Sequence, residues 1–368
     1  MNLRLRLEAV CGSRRVRGEQ PLIVRPADEA ALRGALAAAA EAGVPTKLEG
    51  LRAHSETEAA VTFELSGFDE LELDRENHLA RVGAGLPVSV IEQRLEAEGF
   101  SLRWGHLPPI PVGVWLAAHA GAIHSPRGLP GHGPVAGVEA VLWDGTPLRS
   151  CLAPRSATGP ELSAFFLGAR ARFGLLTRLH LRVHPAPAER ERLAWTFPGH
   201  AAALRACVDL LEADLWPEAM TLHDGAGGVQ LCWELAESAV QVRVRRSAAE
   251  IVARGAGGAP APAGCERLAG SSELRAATAD RAETAASRAW LLFSQVEPLV
   301  ERLRAEHPAA RLHLEAVAPE GAAAWIVGLP PAALDALLAE VGALRDTPPA
   351  ELALLDAVAA KVFPEVRA

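Results

Sequence analysis

Apolar and polar positions change period several times along the chain, and each change marks an element. "PLIVRP" (21–26) is a short apolar run bounded by prolines, the pattern of a buried strand. Asp28 then stands as an N-cap before "EAALRGALAAAAEAG", whose Ala and Leu spacing predicts a short helix closed by Gly43. With the segment that follows, this reads strand, helix, strand. From Phe68, "FDELELDRENHLARVGAG" alternates on both sides of the turn-forming "DREN", which predicts two antiparallel strands. A helix follows at "PVSVIEQRLEAEG". The next stretch, "PPIPVGVWLAAHAGAIHSPRGLPGHGP", is rich in Gly, Pro and small residues and has one helical segment around Trp115 to His119. "VAGVEAVLWDGTPLRS" predicts a hairpin turning at Asp144-Gly145, and "GLLTRLHLRVHPAP" an alternating strand that stops at its prolines.

Past about residue 188 the pattern restarts. "AALRACVDLLEADL" is an amphipathic helix, and "AMTLHDGAGGVQLCWEL" two short strands around a Gly-rich turn. "SAVQVRVRRSAAEIVARG" fits strand or helix, because its valines alternate while its tail is helical. Beyond the linker "GAGGAPAPAG", the segments "VEPLVERLRAEH", "RLHLEAVA" and "AAAWIVGLP" read helix, strand, strand. Together they predict an α+β module with helices on one face of an antiparallel sheet. "PAALDALLAEVGAL" and "AELALLDAVAAKVF" predict C-terminal helices. There is no internal repeat.

Composition narrows the function classes. At 368 residues and 49% hydrophobic, the chain has enough apolar surface for two packed units. A formal charge of −8, with arginines scattered among glutamates, argues against a nucleic-acid partner. The cysteines, Cys11, Cys151, Cys207, Cys232 and Cys265, are odd in number and widely spaced, so they read as reduced core thiols and not as a metal or redox pair. The N-terminal segment lacks a signal-peptide core, and no stretch approaches the roughly 20 apolar residues that span a bilayer. No membrane span and a cytoplasmic location are the expectations. Compact signatures of metal hydrolases, P-loop enzymes and serine hydrolases are absent from the sequence.

The order of pieces in residues 20–187 resembles the FAD-binding domain of the FAD-linked oxidases, the vanillyl-alcohol oxidase type of flavoprotein. "VLWDG", "TGPEL" and the closing "GLLT" strand fall in the family's order. "PRSATGPELSAFFLGARARFGLLTRLHLRVHP" looks most like the branch containing alkyldihydroxyacetonephosphate synthase and the FAD-binding subunits of glycolate oxidase. The resemblance implies an α+β fold with a two-subdomain FAD-binding domain over 1–187. A shortened, ferredoxin-like α+β substrate or cap domain over 188–330 follows, and then C-terminal helices over 331–368 that pack back on the first domain.

It also implies where a cofactor would sit. The family's first loop, Arg-Gly-Gly-Gly-Thr-Ser, falls here on Glu49, Gly50, Leu51, Arg52, Ala53 and His54. Glycine serves that loop because positive φ and close approach to phosphate oxygen leave no room for Cβ. Its second stretch falls on Pro111, Val112, Gly113 and Val114, then His119, Ala120, Gly121 and Ala122. The third falls on Gly168 to Gly174, with Ala169, Arg170, Ala171 and Arg172 in place of polar residues. The expected FAD contacts are thus Gly50, Arg52, Ala53, His54, Gly113, Val114, His119, Gly121, Gly168 and Gly174, and the glycines read equally well as plain turn formers. Holding one non-glycine residue left-handed costs about 1–2 kcal/mol. A carboxylate about 5 Å from a phosphate repels it by about 3 kcal/mol at an effective dielectric of 20. The first loop is therefore rewritten against the diphosphate that the family binds.

For chemistry, His119, His124 and His132 gather in the Gly-rich segment and are the catalytic candidates, with surface or hydrogen-bonded core histidine as the alternative. His54 lies one position from where some relatives attach flavin, and Arg170 and Arg172 read as anion-binding or solvated. The family's His-rich substrate segment and terminal Asn-Pro motif are not visible. Two functions follow: an FAD-dependent oxidoreductase or flavin subunit oxidising a small hydroxy acid or alcohol, or a flavin-free homologue serving as a structural or regulatory subunit. Either subunit role implies a related flavoprotein or iron–sulfur partner.

Overall fold

The computed structural model describes residues 2–51, 60–104, 107, 109–118, 134–150, 162–225, 228–261, 287–318, 321–327 and 329–345. Helix α1 (Leu3–Cys11) opens the chain. Its "LRLRL" alternates like a strand, yet the Asn2 side chain caps it by accepting from the Arg4 amide, and Leu7 and Cys11, one turn apart, turn inward. Strands β1 (Val16–Arg17), β2 (Leu22–Val24), β3 (Thr46–Leu48) and β4 (Val61–Phe63) form a sheet in the order β1-β2-β4-β3. β2, β4 and β3 are parallel and β1 is antiparallel to β2. The crossover from β2 to β3 is helix α2 (Glu29–Glu41). As expected, Asp28 caps it, accepting from the Ala31 amide at 2.8 Å, and Gly43 follows it at φ +62°. Leu32, Ala35, Leu36 and Ala39 form its buried face.

A second sheet is antiparallel throughout, in the order β5-β6-β10-β8-β9. It comprises β5 (Leu71–Asp74), β6 (Leu79–Gly83), β8 (Val135–Leu142), β9 (Pro147–Arg149) and β10 (Gly174–Arg182). Both predicted hairpins are present. In the first, Asp74 Oδ1 accepts from the Asn77 amide; in the second, Asp144 Oδ1 accepts from the Thr146 amide while Gly145 takes φ +83°. Helices α3 (Val88–Ala97) and α4 (Val112–Ala118) and the short pair β7 (Phe100–Ser101) and β11 (His184–Pro185) complete this half. One hydrophobic core, from Leu7 to Val183, runs through both sheets.

The second half is built on an eight-stranded antiparallel sheet in the order β15-β12-β14-β13-β17-β18-β16-β19. Its strands are β12 (Glu189–Phe197), β13 (Ala219–Gly225), β14 (Gly228–Glu237), β15 (Ala259–Pro260), β16 (Ser287–Leu292), β17 (Arg311–Ala318), β18 (Gly321–Val327) and β19 (Leu344–Arg345). Helices α5 (His200–Glu212), α6 (Ala239–Gly255), α7 (Phe293–Glu306) and α8 (Pro331–Glu340) accompany it. The segment with alternating valines is helix α6: Ser238 caps it, and Val242 is buried while Val240 and Val244 lie in solvent. The period-two valines are thus one buried residue flanked by two exposed ones on a 3.6-residue helix.

Residues 331–345 differ from the expectation that the C-terminal segment returns to the first half. Leu334, Leu337 and Leu338 of α8 belong to the second core, and β19 pairs with β16. An unfilled strand edge and a Leu-rich helix face found their partners next door, where fewer residues had to be ordered. Residues 346–368, which carry the rest of that expectation, lie outside the described residues.

The halves are tied by charge. Arg103 Nε donates to both carboxylate oxygens of Glu218, at 2.8 and 3.0 Å, and its Nη2 to the Ala236 carbonyl at 2.6 Å. Arg190 of β12 reaches Glu92 of α3 at 3.3 Å and Ser101 Oγ at 3.4 Å.

Candidate flavin site

The three stretches assigned by resemblance to the cofactor converge on α4. The first follows β3, where the Glu49 amide still donates to the Phe63 carbonyl at 2.9 Å and Gly50 turns the chain at φ +83°. A Cβ on Gly50 would lie 3.1 Å from Val114 Cγ1, so the first loop and the second stretch are in contact. Gly113 is hemmed in on its other side: a Cβ there would lie 2.7 Å from the Ala84 Cβ. The third stretch meets the opposite end of α4, with the Gly168 and Arg170 amides donating to the Leu116 and Ala117 carbonyls at 2.9 and 2.8 Å. Those carbonyls belong to the last turn of a helix that no longer needs them, which is why a loop can dock there. Gly174 begins β10 where a Cβ would strike the Val141 carbonyl oxygen at 2.3 Å.

Gly50, Gly113 and Gly174 therefore occupy positions that a side chain could not share without displacement, and Gly168 takes φ +74°. Arg52, Ala53, His54, His119 and Gly121, and the catalytic candidates His124 and His132, lie outside the described residues. Between Gly168 and Gly174, where nothing in the sequence signals backbone strain, Arg170 and Ala171 take φ +54° and +60°. The Trp143 indole N–H fixes that bend by donating to the Ala171 carbonyl at 2.8 Å. Arg172, read from sequence as anion-binding or solvated, is 3% exposed, and its Nη1 donates to the Ala169 carbonyl at 3.3 Å.

Whether the described residues suit FAD is a question of donors. A diphosphate needs several free N–H groups pointing one way. The amides of Val112 and Gly113, at the start of α4, donate to the Leu86 and Ala84 carbonyls at 2.8 Å each. The Leu51 amide turns back to the Leu48 carbonyl, and its side chain packs on the first core. Glu49 adds an exposed carboxylate beside Gly50. The described residues thus fit the scaffold of a flavin site but not the grip on its diphosphate, and no chemical step is derived through the cofactor.

Among the described residues, the titratable groups with shifted pKa lie elsewhere. Burial raises the Glu139 carboxyl on β8, but Arg81, His180 and Arg178 outweigh burial and leave it below its ordinary value. Arg81 Nε reaches it at 2.9 Å, His180 Nε2 at 3.2 Å and Arg178 Nη1 at 3.4 Å. Burial lowers the His180 imidazole, with the Glu139 hydrogen bond opposing. Glu92 is raised by burial against donors from Ser101 and the Leu102 amide. Each of these carboxylates is enclosed by protein donors, which is a structural arrangement. The thiols of Cys11, Cys207 and Cys232 are buried; burial pushes Cys11 up to about 11 and Cys207 higher still. Cys151 and Cys265 lie outside the described residues. Among the described residues no helix is long and apolar enough to cross a membrane.

Residues 21–150 match the family model described as FAD binding domain. Among characterised proteins, the chain is 22% identical over 175 residues to alkyldihydroxyacetonephosphate synthase of Caenorhabditis elegans, covering 46% of this chain and 29% of that protein. It is 24% identical over 204 residues to D-lactate dehydrogenase of Archaeoglobus fulgidus, covering 52% and 45%. A synthase of the first name from Trypanosoma brucei brucei is 25% identical over 160 residues, covering 42% and 25%. The matched stretch spans less than half the length of each of these relatives.

Solved structures extend the likeness in shape. An alkyldihydroxyacetonephosphate synthase superposes with a TM-score of 0.72 at 14% identity, over 94% of this chain and 76% of that one. p-Cresol methylhydroxylase with substrate bound gives 0.69 at 14% identity, over 99% and 94%. The fold is that of the FAD-linked oxidases of the vanillyl-alcohol oxidase type, and residues 21–150 match the model of an FAD binding domain.

Proposed function

We propose that the chain is an FAD-linked oxidoreductase, or the flavin subunit of one, that oxidises a small hydroxy acid or comparable alcohol. The observation that carries this reading is the convergence of Gly50, Gly113 and Gly168 on α4 within the matched fold. Gly50 and Gly113 lie within the residues that match the FAD binding domain model, and the resemblance assigns all three to flavin-binding loops. Oxidising an alcohol removes a hydride that no amino-acid side chain accepts, so the reaction class itself calls for a redox cofactor. The substrate class is supported by the name of the D-lactate dehydrogenase relative, lactate being a small hydroxy acid. In this reading the diphosphate is held by groups other than the amides of Glu49, Leu51, Val112 and Gly113. The full chain, purified and scanned for visible absorption, should be yellow and release about one FAD per chain on denaturation. A colourless protein that gives no heat with FAD in calorimetry would overturn it.

A second reading rests on the donor set. The Glu49 carboxylate, the inward Leu51 and the engaged amides favour a flavin-free homologue that serves beside a related flavoprotein or iron–sulfur subunit. It predicts that the colourless chain co-purifies with such a partner, and stoichiometric FAD reduced on adding an alcohol substrate would end it.

A further inference from the structure

The edge of the parallel sheet carries a feature that neither reading uses. Arg14 and Arg15 lie in the single 3-10 turn Ser13–Arg15, Arg17 ends β1 and Arg25 follows β2; these four arginines line a cavity of about 380 Å³. Strand pairing forces them together. Val16 faces Val24 across the β1–β2 ladder, and the Arg25 amide donates to the Arg15 carbonyl at 2.9 Å.

Little nearby offsets their charge. Arg17 Nη2 meets Glu64 at 2.7 Å, Arg25 Nη2 donates to the Ser66 carbonyl at 3.1 Å, and Arg15 Nη1 donates to the Arg25 carbonyl at 3.5 Å. Arg14 makes no ion pair among the described residues, and neither does Glu19, the acidic residue of the β1–β2 turn. One carboxylate against four guanidinium groups leaves a net of three positive charges, in a chain whose formal charge is −8. The Arg25 Nε is also shut off from solvent and has no acceptor among the described residues. Guanidinium groups gathered this way repel one another and leave a buried donor unmet, and an anion rich in acceptor oxygens answers both.

We propose that this cavity binds a small phosphate-bearing anion. Planar guanidinium forks match phosphate oxygens in pairs, and the volume is in the range of small-molecule sites. Arg25 and Glu64 extend β2 and β4 at their carboxyl ends, the side of an open parallel sheet where ligands bind. None of its four arginines is among the proposed flavin contacts, so the proposal holds with or without flavin.

The test is calorimetric titration of the full chain with inorganic pyrophosphate and with inorganic phosphate, at low and at high salt. Pyrophosphate should bind at one site per chain, phosphate about tenfold more weakly, and both less at high salt. Arg14→Gln should weaken pyrophosphate binding about tenfold, the worth of one charge-assisted hydrogen bond, and Arg14→Gln with Arg17→Gln about a hundredfold. Neither variant should lower the melting temperature of the ligand-free protein or change its FAD content. No heat from pyrophosphate overturns the proposal, and so does binding that both variants leave intact, which would place the anion elsewhere.

Discussion

Replacing Glu218 with Gln tests how the two halves of the molecule are joined. Glu218 is fully buried and the Arg103 side chain is 12% exposed, so the pair is largely shielded from water. Glu218→Gln keeps the shape and one acceptor but leaves the guanidinium without a carboxylate, held by its bond to the Ala236 carbonyl. Removing one partner of a buried ion pair costs about 3–5 kcal/mol; since Gln still accepts one bond, about 3 kcal/mol is expected here. Arg103 itself sits at φ +55°, a conformation that costs a non-glycine residue about 1–2 kcal/mol and is held by these bonds. In urea denaturation followed by tryptophan fluorescence, with a slope of about 3 kcal/mol per M, the midpoint should fall by about 1 M. The double variant Arg103→Met/Glu218→Leu, which removes both charges, should recover most of that loss. A single variant with an unchanged midpoint, or a double variant as unstable as the single, would refute the reasoning.

Two further outcomes follow from the same geometry. Glu92 is raised in the fold by burial, so the folded state binds the proton more tightly than the unfolded chain does. Its effect on stability is then a loss that sets in as pH rises from the ordinary carboxylate value through the folded one. Glu92→Gln should therefore gain on wild type across that rise, and a gap between the two that is flat with pH would contradict it. Gly113→Ala places a methyl 2.7 Å from the Ala84 Cβ and should destabilise by about 1–3 kcal/mol, despite alanine's helix preference of about 1 kcal/mol. A higher melting temperature in that variant would show that α4 does not pack as closely as described.

Much of the fold was legible wherever the cause is local. Asp28 and Gly43 bracket α2, and Asp74 and Asp144 make their turns with residues two or three positions away. Helix α1 escaped because "LRLRL" has the period of a strand, while its helicity rests on the Asn2 cap and on burying Leu7 and Cys11. Of the candidate site, Gly50, Gly113, Gly168 and Gly174 were legible because each has either a positive φ or a neighbour too close for a Cβ. The engaged amides of α4 were not, since their acceptors at Leu86 and Ala84 come from another part of the chain. Nor were the contacts that span long separations: Arg103 and Glu218 are 115 positions apart. The arginines read in sequence as scattered, and only the β1–β2 ladder brings Arg25 to Arg15.

The visible spectrum and FAD content of the freshly purified full chain test the central claim most directly. The account predicts flavin absorption bands, about one FAD per chain, and bleaching when a small hydroxy acid is added under nitrogen. Absence of flavin, together with no uptake of added FAD, would contradict it.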